Sequence, residues 1–231
     1  FGPKFTELQI YNPSSFKVLD EEEDYHFGVV LVQYAHLDFK DAIFWLQESQ
    51  NPEWRLVFVD DVACLFVRST DANASLGVDL DAPDLFAPLD PVDGMDQLWR
   101  YKARRNFYLA IRRPKQALAV WEEALELYPQ IVGRSVEHAR LLFLCGEAER
   151  ADLMLRSMAA QHSRDAPLLA RVGARRLEMN QFDAARQVLD AALAIDSDLP
   201  RAIYERARLA EIDGDNEMAK HLYRRILTER P

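Results

Sequence analysis

The sequence has few of the residues from which metal sites and disulfides are built. Only two cysteines, Cys64 and Cys145, and five histidines occur in 231 residues. No Cys-x-x-Cys pair is present and no two histidines stand four residues apart, so the usual ligand clusters for a structural metal are missing. We expect two small buried thiols and no metal. A disulfide between them is an alternative that requires the two halves of the chain to pack closely.

Long apolar runs and catalytic glycine motifs are missing as well. No apolar run approaches the roughly 20 residues that span a bilayer, and residues 1–15 lack the basic start and apolar core of a signal peptide. Because the chain begins at Phe1, we expect a piece of a longer protein. No phosphate loop, Rossmann fingerprint or Gly-x-Ser-x-Gly motif occurs. His36 with Asp38 or Asp41 is a conceivable acid–base pair, but a surface histidine explains it better. We predict no cofactor and no enzymatic activity.

Positive charge is scarce in the first part of the chain. Residues 1–97 contain 5 Lys+Arg against 19 Asp+Glu, a net charge of −14, whereas residues 98–231 contain 23 against 19, a net charge of +4. This asymmetry indicates two modules. An acidic protein repels phosphate, so we expect no nucleic-acid partner.

Residues 98–231 repeat with a period of 34. Four alanines mark the period: Ala117, Ala151, Ala185 and Ala219. Large residues follow each alanine four positions later: Trp121, Leu155, Leu189 and Tyr223. Turn positions precede each alanine by five: Arg112, Gly146, Asn180 and Gly214. A small residue lets two helices approach closely, a large residue one turn later fills the space beside it, and Gly or Asn tolerates the left-handed backbone that ends a helix.

This pattern resembles the tetratricopeptide repeat family over residues 98–231. The resemblance implies four helix–turn–helix units, at 98–131, 132–165, 166–199 and 200–231, stacked as an α-solenoid. One unit cannot bury its apolar face alone, but stacked units can. Such arrays usually finish with an extra polar helix, so Leu222, Ile226 and Leu227 are expected near an uncovered face. A weak homodimer, or cover from the small domain or linker, is therefore predicted there.

Residues 1–70 show a different pattern. A buried strand is predicted at 27–32, an amphipathic helix at 39–49, and a hairpin of strands 54–59 and 62–67 joined by Asp60 and Asp61. Both hairpin strands are apolar on both faces, which predicts a small α/β domain whose sheet is covered on both sides. The acidic run 20–24 is expected to be a solvated loop.

The stretches 27–32, 46–52 and 54–68 resemble a soluble region of bacterial polytopic glycosyltransferase-like membrane proteins of the dolichyl-phosphate-mannose transferase type. The resemblance implies an extracytoplasmic tail behind membrane helices, and it covers about a quarter of the chain. The membrane helices and acidic catalytic motifs of that family do not occur in this sequence, so a membrane association would come only through a parent chain.

Residues 71–97 are predicted to be an acidic linker. They contain seven Asp, three Pro and no Lys or Arg. A calcium loop is the functional alternative, but the Asp spacing of such loops is not met. Leu85, Phe86 and Leu89 are expected to tie this linker to a neighbouring module.

The tetratricopeptide resemblance implies a concave peptide-binding groove lined by the first helix of each unit. The candidate residues are Lys102, Asn106, Arg140, Phe143, Arg171, Leu177, Tyr204 and Arg208. Some family members clamp a peptide carboxylate with five polar positions. Lys102, Asn106 and Arg171 match that pattern, whereas Glu137 and Pro167 depart from it. The row of cations predicts an acidic ligand, either a foreign peptide or the chain's own linker.

Together these observations predict an α+β, mainly α, protein: a small domain at 1–70, a linker at 71–97 and a four-repeat solenoid at 98–231. The predicted function is non-catalytic protein–protein interaction, in the extracytoplasmic, periplasmic region of a bacterial membrane protein. Two alternatives stay open: an accessory domain of a membrane glycosyltransferase whose active site lies outside this chain, and a soluble cytoplasmic adaptor.

Overall fold

The computed structural model describes residues 28–33, 53–82, 85–86, 95–129 and 136–228. The predicted helix at 39–49, the acidic run at 20–24 and His36 lie outside these residues. The described chain is mostly helical with one small antiparallel sheet, so the prediction of an α+β, mainly α, protein is confirmed. The chain divides into two compact units, Phe1–Pro129 and Gln130–Pro231. No helix in the described ranges is long and apolar enough to cross a membrane.

The sheet of the first unit consists of strands β1 (Val29–Gln33), β2 (Trp54–Val59) and β3 (Ala63–Arg68). The spatial order is β1-β3-β2, with both neighbouring pairs antiparallel and a bulge in β2 between Leu56 and Phe58. The predicted hairpin is present, but its turn is one residue later than expected. The carboxylate of Asp60 accepts hydrogen bonds from the N–H groups of Val62 and Ala63, which makes Asp61 and Val62 the central turn residues.

The two faces of the sheet differ in burial. Val32, Cys64 and Phe66 share one face and are buried. On the other face Val29, Leu31 and Phe58 are 57%, 68% and 48% exposed. Within the described residues one face of the sheet is therefore packed. The prediction of a cover on both sides also concerns residues outside them, such as the helix predicted at 39–49.

Residues after β3 are held against the sheet. The guanidinium of Arg55 donates to the backbone carbonyls of Ala74 and Leu76. The N–H of Val78 donates to the Leu56 carbonyl at 3.0 Å, so this segment runs along the outer edge of β2. The described part of the predicted linker is therefore attached to the first unit.

A helical hairpin, α1 (Met95–Ala110) and α2 (Pro114–Leu127), completes the described part of the first unit. Phe86 is buried and packs edge-on against Phe107 and Tyr108 of α1, with ring centroids 5.7 Å apart in each pair. The predicted attachment of the linker through Phe86 is thus confirmed. Asp81 in the same segment forms an ion pair with Arg113 at the α1–α2 turn.

The turn of the β-hairpin also contacts α1 through charge. Asp61 is buried, and its carboxylate accepts hydrogen bonds from Arg100 and Arg104, which lie one helical turn apart on α1. Charge-assisted bonds from two guanidinium groups compensate the burial of this carboxylate. The first helical hairpin and the sheet therefore form one packed body.

Six further helices make three hairpins in the described part of the second unit. They are α3 (Val136–Leu144) with α4 (Ala148–Gln161), α5 (Ala166–Glu178) with α6 (Phe182–Ile195), and α7 (Pro200–Ile212) with α8 (Asn216–Thr228). The second helices α2, α4, α6 and α8 begin at residues 114, 148, 182 and 216, which are 34 apart. The period read from the sequence is therefore a period of the backbone.

The four predicted turn positions all have a left-handed backbone. The φ angles are 56° at Arg112, 87° at Gly146, 57° at Asn180 and 80° at Gly214. The residue after each turn donates its N–H to a carbonyl five residues earlier, as in a Schellman motif. Arg112 and Asn180 both adopt this conformation with a side chain, but asparagine tolerates it better than arginine, so the turn at Arg112 is the most strained of the four.

The predicted interlocking alanines are all in the core. Ala117, Ala151 and Ala185 have no exposed surface, and Ala219 has 3%. The large residue four positions later is buried in the first three hairpins, whereas Tyr223 in the last hairpin is only half-buried. In the second unit, α3 contacts α5 and α5 contacts α7, so the first helices lie side by side.

Candidate binding surface on the first helices

The predicted groove residues fall into both compact units. Lys102 and Asn106 are on α1 in the first unit, and the other six are on α3, α5 and α7 in the second. Lys102 is exposed, and the Asn106 carboxamide oxygen accepts hydrogen bonds from its neighbour Arg105. The second unit therefore supplies the larger candidate surface.

Arg140 belongs to a ring of four charged residues across α3 and α5. Glu137 accepts hydrogen bonds from Arg140 at 2.8 Å and from Arg175 at 2.9 Å. Glu178 pairs with Arg175 at 2.6 Å and with Arg140 at 3.5 Å. Both arginines therefore have carboxylate partners before any ligand arrives. Glu137, which departs from the clamp pattern, is one of the two acids of the ring.

The other two arginines of the predicted row differ from each other. Arg208 donates to Glu205 at 2.8 Å, and Glu205 is itself buried. Arg171 is exposed and forms no ion pair within the ranges that the structure describes. Arg171 stands 34 residues from both Glu137 and Glu205, so it replaces an acid at its position in the period. Arg171 is the cation of the row that is available to a ligand.

The three predicted apolar contacts also have different surroundings. Leu177 is 4% exposed and packs with Ala185, Leu189 and Leu209, so it presents almost no surface to a ligand. Phe143 is half-buried. Tyr204 is 47% exposed, and its ring centroid lies 5.9 Å from that of Tyr223. Tyr204 is therefore the main aromatic surface among the predicted residues.

The last hairpin exposes a face that the preceding hairpin buries. Tyr204, Glu211 and Leu227 occupy the positions of Ala170, Leu177 and Leu193, one period earlier. Leu227 is 73% exposed, whereas the predicted Leu222 and Ile226 are half-buried. The hydroxyl of Tyr223 donates to Glu211 at 3.0 Å, and burial together with this bond raises the pKa of Tyr223 to about 12. This face combines exposed apolar surface with polar groups that are already paired.

A buried ion pair that the sequence did not reveal joins two hairpins. Arg176 on α5 is 3% exposed and donates to Asp152 on α4 at 2.8 Å. Asp152 also accepts from Arg156. One period away on either side, Leu142 and Ala210 occupy the position of Arg176. A charged residue that breaks an apolar series was the available signal, but a single exception in a repeat does not identify its partner.

Comparisons with protein-family models and with curated protein sequences found no match to this chain. The function is therefore argued from the residues described above.

Proposed function

We propose that residues 98–231 are a tetratricopeptide-type scaffold that binds a protein or peptide. The observation that carries this proposal is the ordered packing of the first helices α3, α5 and α7, whose shared face presents Arg171 and Tyr204 to solvent. The backbone period of 34 at the four turns supports the resemblance to the repeat family. A surface made by successive helices suits an extended ligand.

The charge pairing on this surface changes the kind of ligand that we expect from the sequence. A row of three cations would favour several acidic residues, but Arg140 and Arg208 are paired with Glu137 and Glu205. A ligand carboxylate would have to displace a protein carboxylate to reach either arginine. We therefore propose a partner with one acidic group near Arg171 and an apolar or aromatic group near Tyr204, because exposed aromatic residues commonly dominate binding energy.

The test is a peptide screen followed by titration. The full chain is screened against an array of random dodecapeptides, and each hit is titrated by fluorescence anisotropy. Arg171→Glu and Tyr204→Ala are each expected to weaken binding about tenfold or more, since a lost hot-spot contact is worth roughly 1.4 kcal/mol or more. Arg164→Glu is the matched control, because Arg164 is exposed in the α4–α5 loop. Binding that responds equally to all three variants, or to none, contradicts the proposed surface.

The membrane context is a separate proposal that rests on the resemblance of residues 1–70. If the chain is an extracytoplasmic tail or a glycosyltransferase accessory domain, we expect the parent reading frame to encode several apolar segments of about 20 residues before Phe1. If the chain is a cytoplasmic adaptor, we expect none. Sequencing the parent gene distinguishes these contexts, and the proposed binding surface is the same in all of them.

A further inference from the structure

The last hairpin exposes an end face whose residues can be identified from the preceding hairpin. Ala170 and Ala192 share one buried cluster with Ala202 of α7, and Leu177 shares another with Leu209 of α7. The residues one period later therefore point to the side where a further hairpin would lie. The end face consists of Tyr204, Arg208 and Glu211 on α7 and of Leu222, Ile226 and Leu227 on α8.

The shape of the end face differs from the surface on which α7 packs. Tyr204 and Ile226 stand where the preceding hairpin has the small residues Ala170 and Ala192. Glu211 is exposed, whereas the residue at its position in α5 is a buried leucine. A further hairpin packed in the same way would meet two bulky side chains and bury a carboxylate. The end face therefore suits a partner of another geometry.

Arg208 on the end face has a precedent two periods earlier. Arg208 pairs with Glu205 on its own helix at 2.8 Å, as Arg140 pairs with Glu137 at 2.8 Å. Arg140 also reaches across to Glu178 on the next first helix, with an Nε–O distance of 3.5 Å. Within the described residues Arg208 makes no such second ion pair. This position can therefore hold a second acid that approaches from the side of the next helix.

The acid and the cation of the end face are arranged reciprocally. Glu211 lies one turn after Arg208 on the same side of α7, and it accepts a hydrogen bond from Tyr223 at 3.0 Å, which orients its carboxylate. A two-fold contact repeats each residue pair in reverse. When two copies of α7 cross antiparallel about a point between these residues, Arg208 of each copy lies opposite Glu211 of the other. Two equivalent ion pairs then form, whereas a partner of one charge sign would be repelled by one of the two residues.

We propose that the end face binds the end face of a second copy of this chain. The reciprocal charges identify the copy as the occupant, and Leu222, Ile226 and Leu227 supply apolar contacts beside them. The same contact covers Tyr204, because Tyr204 lies one turn before Arg208 on the same side of α7. Self-association therefore competes with the ligand at Tyr204. This competition rests on the proposed function, whereas the association itself does not.

Sedimentation equilibrium of the full chain, at concentrations up to about 1 mM, tests the association. The unaltered protein is expected to show a monomer–dimer equilibrium. Leu227→Glu places an unpaired carboxylate in the apolar part of the end face and should weaken dimerisation about tenfold or more. Leu153→Glu is the matched control, because Leu153 is 68% exposed on the second helix α4 and lies outside the end face. This control should dimerise like the unaltered protein.

A charge exchange tests the pairing itself. Arg208→Glu and Glu211→Arg each bring like charges together at both contacts of their own dimer, so each protein alone should dimerise about tenfold or more weakly. An equimolar mixture of the two restores opposite charges at both contacts and should dimerise like the unaltered protein. Circular dichroism checks that each variant is folded. If Arg208→Glu fails to fold beside the buried Glu205, Leu227→Glu at its exposed position decides the question.

Three outcomes overturn the association: a monomer at every concentration, dimerisation that Leu227→Glu leaves unchanged, or a mixture of folded charge variants that dimerises no better than its components. The competition is tested with a peptide from the screen, which at saturation should shift the unaltered protein to monomer in the centrifuge. A dimer that keeps its stability with peptide bound overturns the competition. A screen without any ligand contradicts the proposed function alone, since sedimentation still decides the association.

Discussion

The buried pair of Asp152 and Arg176 allows a quantitative test of how the second and third hairpins are joined. Asp152→Ala removes the carboxylate and leaves Arg176, which is 3% exposed, with Gln181 as its remaining partner. Breaking a buried pair from one side typically costs 3–5 kcal/mol. Because Gln181 retains one bond to the guanidinium, we expect a loss near the lower end, about 3 kcal/mol.

A second substitution should restore most of this stability. Arg176→Leu introduces the residue that Leu142 provides one period earlier, where it is fully buried. Replacing a buried ion pair by apolar side chains is often neutral or stabilising. The double variant Asp152→Ala, Arg176→Leu is therefore expected within about 1 kcal/mol of the unaltered protein. Arg176→Leu alone should cost on the order of 1–2 kcal/mol, since Asp152 retains Arg156.

The assay is urea denaturation followed by two signals. All four tryptophans precede residue 130, so tryptophan fluorescence reports the first compact unit, whereas far-UV circular dichroism reports the helices of both. The variants should lower the midpoint of the dichroism transition, and the fluorescence transition shows whether the first unit unfolds together with the second. If Asp152→Ala costs less than about 1 kcal/mol, or the double variant is no more stable than Asp152→Ala, the reasoning from charge burial is refuted.

The same pair predicts a dependence of stability on pH. Burial raises the pKa of Asp152, but hydrogen bonds from Arg156 and Arg176 outweigh it and hold the pKa below its ordinary value. A carboxyl whose pKa is lower in the folded state contributes stability above its unfolded pKa, about 3.9. That contribution is lost as pH falls through the folded value. Below about pH 4 the unaltered protein should therefore lose more stability than the double variant.

Four further predictions concern packing, backbone and association. A Cβ on Gly173 would lie 2.5 Å from two atoms of the buried Leu189. Gly173→Ala should therefore destabilise the fold by about 1 kcal/mol, although alanine has the better helix propensity. The dichroism midpoint in urea measures this change. Ala185→Leu should overpack the same core by roughly 1–3 kcal/mol, and an unchanged thermal melt would contradict the repeat register. Arg112→Gly should stabilise the first unit by about 1 kcal/mol by relieving the left-handed backbone, visible in tryptophan fluorescence. If the chain forms a weak dimer through the last hairpin, Leu227→Glu should abolish it in sedimentation equilibrium, whereas a monomer at high concentration without the substitution would remove the dimer prediction.

The backbone features that were predicted correctly are those that recur. The positions of Gly146, Asn180 and Gly214 follow from a short local rule, that a helix ends where a left-handed residue is tolerated, and the rule is repeated every 34 residues. Four observations of one pattern outweigh the ambiguity of any single turn, and this is why even Arg112 was placed in a turn. Recurrence also located the interlocking alanines.

The features that were missed each occur once and join distant parts of the chain. Asp61 and Arg104 are 43 residues apart, and Arg176 is 24 residues from Asp152. Charged residues are common in this sequence, so composition cannot select which of them meet. The ring around Arg140 was missed for a related reason. Arg140 looks available to a ligand until Glu137 of its own helix and Glu178 of the next helix are placed beside it.

The contacts of Asp61 and Phe86 bear on how this protein can be cut and recombined. Cleavage between residues 97 and 98, where the sequence pattern changes, would remove the carboxylate that Arg100 and Arg104 share and expose the apolar surface of Phe107. A fragment beginning at residue 98 would contain all four helical hairpins and still lack side chains that pack against the first of them. An exchange of segments with other proteins would therefore leave the first unit intact only if the first helical hairpin remained with the sheet, as it does in the compact unit Phe1–Pro129.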